Sequence, residues 1–273
     1  MTPSPAPSLI VSADDFGSTP GVNEAVSLAH RHGVLTHASL MVRGAAASEA
    51  VRIAGENPGL GVGVHLELCS DAPAAWGLKS FLSGGRGLAE EIEEQVRLCL
   101  SFGIKPTHLD SHLNAHVHPT VFPLVVAAAL RHGIPRVRLT GGEAGLRARF
   151  GGPGTAPALA LGCVFAALRL RLKGLLPADG RVTSPDRTLG LLRSGMMTED
   201  YLLWLIPRLP AGVTELYLHP TTDPTARSES GPTPTHHSHA EYLALRSPAV
   251  RESLSRSGVK LAGSVRPAGA GPG

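Results

Sequence analysis

The amino-acid sequence predicts an α/β fold in which helices alternate with the strands of a parallel sheet. Short β-branched and apolar runs recur along most of the 273 residues and are separated by segments with helical periodicity, which is the pattern of βα units. The strand candidates are 9–13, 37–42, 61–66, 106–109, 137–139, 215–218 and 259–261. This order favours a single barrel-like α/β domain.

The first helix is the most clearly marked helix. Ser18 or Thr19 can cap it, Pro20 suits its first turn, and Gly33 follows its end. Further helices are predicted at 44–55, 89–102, 120–132, 198–206 and 239–257.

The predicted domain covers residues 9–263. Residues 1–8, which are rich in Pro and Ser, and residues 264–273 are predicted to be disordered ends. Segment 141–187 breaks the alternation and is rich in Gly, Pro and Arg. We interpret it as an insertion or a lid, because long irregular segments in compact domains are usually functional or disordered.

Composition excludes several classes of protein. Lys and Arg exceed Asp and Glu by only 25 − 22 = 3, so no nucleic-acid partner is expected. The three widely spaced cysteines argue against a thiolate zinc site or a disulfide framework, and we expect them to be reduced and buried. The first residues lack the pattern of a signal peptide, so the expected location is cytoplasmic.

The most apolar window, residues 156–168, is too short to span a bilayer. We interpret it as a buried helix. The alternative is an amphipathic helix whose basic flank, Arg169, Arg171 and Lys173, makes peripheral contact with a membrane, which would matter for a lipid substrate.

Two adjacent acids, Asp14 and Asp15, follow the first predicted strand. A turn or a helix cap would explain one of them. In parallel α/β folds, however, chemistry gathers at the carboxyl ends of strands. If one acid binds a cation, the other can stay beside it as an ionised base, because the metal offsets the repulsion between their charges.

Histidines follow other predicted strands. His65 ends the third strand, and His219 precedes Pro220 at the end of the sixth. The stretch "THLDSHLNAHVHP" holds His108, Asp110, His112, His116 and His118. One carboxylate and two imidazoles with open positions form a recurrent catalytic metal arrangement.

Most histidines of that stretch need not bind metal. One or two of them would be ligands, and the others would orient the ligands or face solvent. A second histidine-rich stretch, "THHSH" at 235–239, lies among Ser, Thr and Pro, and we interpret it as a solvated loop.

The motifs ADDFG, GVHL, THLDSH with HVHP, and YLHP, in this order, resemble the YdjC-like (ChbG/HpnK) carbohydrate deacetylases. The stretches "LGLLRSGMMTEDYLLWL" and "LPAGVTELYLHP" are most similar to the hopanoid-associated HpnK branch. The resemblance implies a distorted (β/α) barrel, similar to a TIM barrel, that binds a divalent ion and removes an N-acetyl group from an amino sugar.

The resemblance also implies roles for single residues. Asp15, His65 and His112 would bind the metal, Asp14 would be the catalytic base, and His219 the acid or oxyanion stabiliser. The residues expected to support the ligands or contact substrate are His116, His118, Asp110 and Arg138. Three positions depart from the family pattern, namely Ser12, Glu67 and Asn114.

Mg²⁺ is the metal that the resemblance favours, with Zn²⁺ or Co²⁺ as alternatives. The substrate would be an N-acetylglucosaminyl hopanoid glycolipid or a chito-oligosaccharide, and the protein would be a homodimer. Two other hypotheses remain open at this point: a metal-dependent esterase or phosphoesterase, and a non-catalytic carbohydrate-binding relative that has kept the metal.

Overall fold

Seven parallel strands form one sheet in the part of the chain that the computed structural model describes, residues 6–69, 72–152, 154–225 and 237–263. The strands are β1 (Ser8–Phe16), β2 (His37–Leu40), β3 (Gly61–Leu66), β4 (Leu109–Ser111), β5 (Arg187–Leu189), β6 (Val213–Leu218) and β7 (Lys260–Leu261). The helices are α1 (Pro20–His32), α2 (Ala47–Glu56), α3 (Pro73–Leu82), α4 (Leu88–Ser101), α5 (Phe122–His132), α6 (Ala144–Phe150), α7 (Thr155–Lys173), α8 (Glu199–Leu205), α9 (His239–Arg246) and α10 (Pro248–Arg256). Two 3₁₀ segments, His112–Val117 and Ile206–Arg208, follow β4 and α8.

The strand order is β4-β3-β2-β1-β6-β5, and β7 pairs with the start of β1. Isolated bridges join Leu109 to Val137, Arg136 to Thr183 and Gly141 to Thr188, in the region of the outer strands β4 and β5. The predicted α/β class with a parallel sheet is confirmed. The curved sheet is compatible with a distorted barrel, although the described strands do not close it completely.

Two strand predictions need correction, and one strand was missed. β4 begins at Leu109 rather than at Pro106, since proline cannot donate a ladder hydrogen bond. Predicted strand 137–139 is reduced to the single bridge of Val137. β5 was not predicted, because three residues are too short to show alternation, and it begins at Arg187, the last residue of the predicted insertion.

The predicted ends of the domain change slightly. β1 begins at Ser8, and Lys260 N–H donates to the carbonyl of Pro7 at 2.9 Å, so Ser8 belongs to the sheet rather than to a disordered end. Residues 1–5 and 264–273 lie outside the described residues. The predicted helix 239–257 is two helices, because Ser247 is extended and its hydroxyl caps α10.

Helix α1 is confirmed in detail. The Thr19 hydroxyl accepts the Val22 N–H at 3.3 Å, and Pro20 occupies the first turn.

Helix α7 is not the buried helix that we predicted. Of its described residues only Gly162, Arg169 and Leu172 are buried, and Leu170 is 79% exposed. At 19 residues it is also long and apolar enough to cross a membrane by length and composition. The prediction that this segment is too short to span a bilayer therefore does not hold for the whole helix. Cys163 on this helix is exposed, whereas Cys69 and Cys99 are buried as predicted.

The glycines of β3 make room for buried imidazoles inside the curved sheet. A Cβ at Gly61 would lie 2.4 Å from the ring of His37, and one at Gly63 would lie 2.5 Å from the ring of His108. Side chains two residues apart on a strand share a face, so His65 continues the face of these glycines. The motif GVGVHL therefore brings one imidazole to the carboxyl end of β3 over two others packed beneath it.

Candidate active site

The backbone at the end of β1 brings two adjacent acids into one site. In a regular strand, successive side chains point to opposite faces. Here the pairing of β1 with β2 shifts register between Ala13 and Phe16, and Asp15 has a φ of 61°, which is uncommon for a residue other than glycine. Consequently, ring nitrogens of His65 lie within 4.8 Å of a carboxylate oxygen of Asp14 and of one of Asp15.

The three residues predicted as metal ligands lie together. One ligand atom from each of Asp15, His65 and His112 lies within 4.8 Å of the other two. Asp15 Oδ1 is 3.0 Å from His112 Nδ1 and 3.3 Å from His65 Nε2. The side chains of Asp15 and His65 are buried, but that of His112 is 20% exposed. The group therefore has one accessible side, which a catalytic metal site needs.

The carboxylate of Asp110 orients the ring of His65 by a contact with its Nδ1. His65 Nδ1 lies 2.7 Å from Asp110 Oδ1, and Asp110 Oδ2 accepts the Ser39 hydroxyl at 2.7 Å. Metal-binding histidines commonly donate their second ring nitrogen to a carboxylate in this way. This contact leaves Nε2 of His65 for a metal, so the donor set fits a divalent ion.

Arg138 connects the carboxylates beneath the site. Its Nη1 and Nη2 donate to the two oxygens of Asp14 at 2.6 and 2.7 Å, and Nη2 also lies 2.8 Å from Asp110 Oδ2. Its Nε donates to Glu215 at 3.1 Å, and its side chain is 1% exposed. Arg138 therefore fixes the orientation of Asp14, while each Asp14 oxygen keeps a further lone pair.

The electrostatics of the site favour a positive charge. Burial by itself lowers the pKa of His65, but Asp110, Asp14 and Asp15 outweigh burial and raise that pKa to about 10. Burial raises the pKa of Asp15, but hydrogen bonds from His112, His237 and His65 hold it well below its usual range. Excess carboxylate charge is what a bound cation would neutralise.

His219 lies buried at the end of β6. Its backbone N–H donates to Glu241 at 2.7 Å, and its Nδ1 is 3.3 Å from the Ser194 hydroxyl. Burial is the main cause that lowers the pKa of His219, against the opposing effect of Asp15 and Asp14. The ring is therefore neutral near pH 7, which favours an N–H donor over a protonated acid.

His116 and His118 do not join the metal group. His116 is buried, with Nδ1 at 2.8 Å from the Ser111 hydroxyl and Nε2 at 3.1 Å from the carbonyl of Arg138. His118 accepts the Thr120 N–H at 3.3 Å and packs edge-on against Trp76. His116 thus supports the backbone that carries Arg138, and His118 lines an apolar groove.

The structure adds a histidine that the sequence did not indicate. His237 Nε2 lies 3.2 Å from Asp15 Oδ2, so the interpretation of 235–239 as a solvated loop is wrong for this residue, while residues 235 and 236 lie outside the described residues. A signal was present, because "SHAE" has the Ser-x-x-Glu spacing of a helix N-terminus. Ser238 does cap α9, and its N–H donates to the carbonyl of His219 at 2.7 Å.

Two openings that share one wall residue lie near the site. A cleft of about 330 Å³ is lined by Met41, Glu67, Leu68, Cys69 and His112. A second, mainly apolar groove of about 170 Å³ lies between α3 and α7, and its walls include Trp76, Leu113, Phe165 and Leu168. Cys69 lines both openings, so a molecule bound at His112 would have apolar surface within reach.

Known proteins resemble this chain in sequence and in fold. The profile of the YdjC-like protein family matches residues 8–256. A carbohydrate deacetylase of Brevibacillus brevis is 41% identical over 142 residues, and a chitooligosaccharide deacetylase of Enterobacter sp. is 38% identical over 143 residues. Each alignment covers 46% of this chain and 57% of the relative, so the matched region spans little more than half of those proteins.

A solved structure shares the fold. It is a protein of Enterococcus faecalis V583 named for cellobiose-phosphate cleavage, with a TM-score of 0.67 and 24% identity over 94% of this chain and 97% of that chain. The range matched by the family profile contains every residue of the site described above, from Asp14 to Glu241. The chain belongs to the YdjC-like protein family.

Proposed function

We propose that this chain is a divalent-metal-dependent N-deacetylase, which hydrolyses the acetamide of an N-acetylated amino sugar and releases acetate. The observation that carries the proposal is the convergence of Asp15, His65 and His112 beside a second acid, Asp14, which is near His65 but is held by Arg138. The relatives named as carbohydrate and chitooligosaccharide deacetylases support the same activity.

Asp15, His65 and His112 would hold the ion. When bound, a divalent ion would polarise the acetamide carbonyl and lower the pKa of an attacking water. Mg²⁺ is our first candidate from the family resemblance, and the two imidazoles equally suit Zn²⁺ or Co²⁺.

The protein's own groups move the proton. Asp14, held by both nitrogens of the Arg138 fork, accepts a proton from the attacking water and returns it to the leaving nitrogen, so that acetate and a free amine result. His219 is neutral and donates its N–H to the oxygen that gains negative charge. The two acids therefore have separate tasks, with Asp15 on the metal and Asp14 on the water.

Metal-restored acetate release tests the activity. We expect chelated protein to release no acetate from a chito-oligosaccharide or from an N-acetylglucosaminyl glycolipid, and to recover when Mg²⁺, Zn²⁺ or Co²⁺ is added. An enzymatic acetate assay measures both substrates side by side. Bound metal without any release would contradict the proposal, and a panel of chromogenic esters and phosphoesters would then separate an esterase from a binding protein.

The apolar surface near the site favours a glycolipid, such as an N-acetylglucosaminyl hopanoid, over a soluble oligosaccharide. The 3₁₀ segment His112–Val117 contacts both α3 and α7, and both helices expose apolar side chains: Leu78, Phe81, Leu82, Leu161, Val164 and Leu170. An apolar groove between two helices that expose further apolar side chains suits the hydrocarbon part of a lipid whose sugar lies at His112.

Liposome binding tests membrane contact through α7. Arg169 is unsuitable for charge reversal, because its guanidinium donates to the carbonyls of Leu139 and Pro185 and anchors the helix. Arg171 and Lys173 are exposed. We expect the wild-type chain to sediment with anionic vesicles and the variant R171E/K173E to remain mostly in solution, since each basic residue near an anionic surface contributes about 1 kcal/mol.

Wild-type protein that stays in solution would remove the membrane contact and leave the soluble chito-oligosaccharide as substrate. Arg97, whose side chain is 71% exposed, provides a control, because R97E changes net charge by the same sign elsewhere on the molecule. Homodimer formation stays a prediction of the family resemblance, and a cytoplasmic location stays a prediction from the first residues of the sequence.

A further inference from the structure

We infer that His237 is a positioning residue for the metal site, holding Asp15 by a hydrogen bond from Nε2 to the carboxylate oxygen that does not face His65 and His112. This inference rests on the metal dependence in the proposed function. It extends that proposal by adding a residue that lies far along the sequence from the three proposed ligands, Asp15, His65 and His112.

The two oxygens of Asp15 have different neighbours. Oδ1 lies 3.3 Å from His65 Nε2 and 3.0 Å from His112 Nδ1, whereas Oδ2 lies 3.2 Å from His237 Nε2. Asp15, His65 and His112 form a group whose ligand atoms are mutually within 4.8 Å, and His237 is not a member of it. The geometry thus assigns Oδ1 to the ion and Oδ2 to His237.

Neighbouring residues fix the position of His237. Ser238 N–H donates to the His219 carbonyl at 2.7 Å, and its hydroxyl accepts the Glu241 N–H at the start of α9. His239 Nδ1 lies 3.1 Å from the carbonyl of Thr221. The backbone beside His237 is therefore anchored to the end of β6, and the same anchor places His219 and His237 in one site.

Asp15 needs such a partner. Its φ of 61° is in the left-handed region, which is unfavourable for a residue other than glycine, so other contacts must hold Asp15 in this orientation. A hydrogen bond to the second oxygen would keep the carboxylate in one rotamer with Oδ1 toward the ion. Groups that orient metal ligands in this way commonly change metal affinity by about 10-fold to 100-fold when removed.

Calorimetric titration with Mg²⁺, Zn²⁺ and Co²⁺, without substrate, tests the inference. We expect His237→Ala to weaken affinity by about 10-fold to 100-fold, and His237→Gln, which keeps a donor near Nε2, to restore most of it. The visible spectrum of the Co²⁺ protein should be the same in all three forms, because no ligand is exchanged. His32→Ala is the control, as His32 is an exposed histidine on α1, and it should bind metal like the wild type.

Each other outcome counts against the inference. Wild-type affinity in His237→Ala would show that Asp15 needs no such support. Equal loss in both His237 variants, together with a changed Co²⁺ spectrum, would make His237 a ligand instead. A wild-type chain that binds none of the ions would overturn the metal dependence of the proposed function and this inference with it, so the two failures are distinguishable.

Discussion

Asp14→Asn is expected to bind metal like the wild type and to lose about 10²-fold to 10⁴-fold in kcat, the usual contribution of a general base. Asn has nearly the same shape as Asp, but it cannot take a proton from water. Asp14 is near His65 but outside the group of Asp15, His65 and His112, and Asp110 still holds His65, so the ligands should remain in place. Acetate release at saturating metal measures kcat, and titration of the chelated protein measures metal affinity.

Asp15→Asn is the matched variant, since it makes the same chemical change at the neighbouring position. It should lose metal affinity by more than the roughly 100-fold that residues hydrogen-bonded to metal ligands contribute, and it should lose turnover as a consequence. Excess metal should then restore part of the activity of Asp15→Asn but none of that of Asp14→Asn. Equal loss of metal in the two variants would contradict the division of tasks between the adjacent acids.

The location of the site could be predicted from the sequence because it depends on strand ends. Asp14, His65 and Asp110 lie at the carboxyl ends of β1, β3 and β4, and the carboxyl ends of parallel strands meet at one edge of a sheet. The alternation of short apolar runs with helical segments placed the ends of β1 and β3 to within three residues, whereas the predicted fourth strand ended at Leu109, where β4 begins. The sequence could not show that the side chain of Asp15 departs from the regular alternation of strand side chains between the two faces of the sheet. That departure depends on one left-handed residue and a register shift.

Other parts of the site depend on contacts between residues far apart in the sequence. His237 reaches Asp15 only because Ser238 bonds to the end of β6, and residues 15 and 237 share no local pattern. The buried helix predicted at 156–168 was wrong for a related reason. Apolar composition alone does not say whether neighbouring elements cover a helix, and Val164 and Leu170 of α7 are 55% and 79% exposed.

Arg138→Met is expected to lower the free energy of unfolding by about 3–5 kcal/mol, because removing one member of a buried ion group leaves the others uncompensated. Asp14 and Asp110 both lie within 3 Å of the Arg138 guanidinium, and all three side chains are at most 3% exposed. Urea unfolding followed by circular dichroism measures the change. Arg97→Met is the control, because Arg97 is 71% exposed and its partner Glu93 keeps Arg131 and His132, so stability should change by less than about 1 kcal/mol.

A second comparison separates the effect of charge from that of geometry. Arg138→Lys keeps the positive charge but loses the planar fork that donates to both oxygens of Asp14. We expect it to recover part of the stability and little of the turnover, since a lysine can neutralise Asp14 without fixing the direction of its lone pairs. If Arg138→Lys restored kcat fully, charge alone would be sufficient. A stability change below about 1 kcal/mol in Arg138→Met would mean that the buried carboxylates are balanced by other groups.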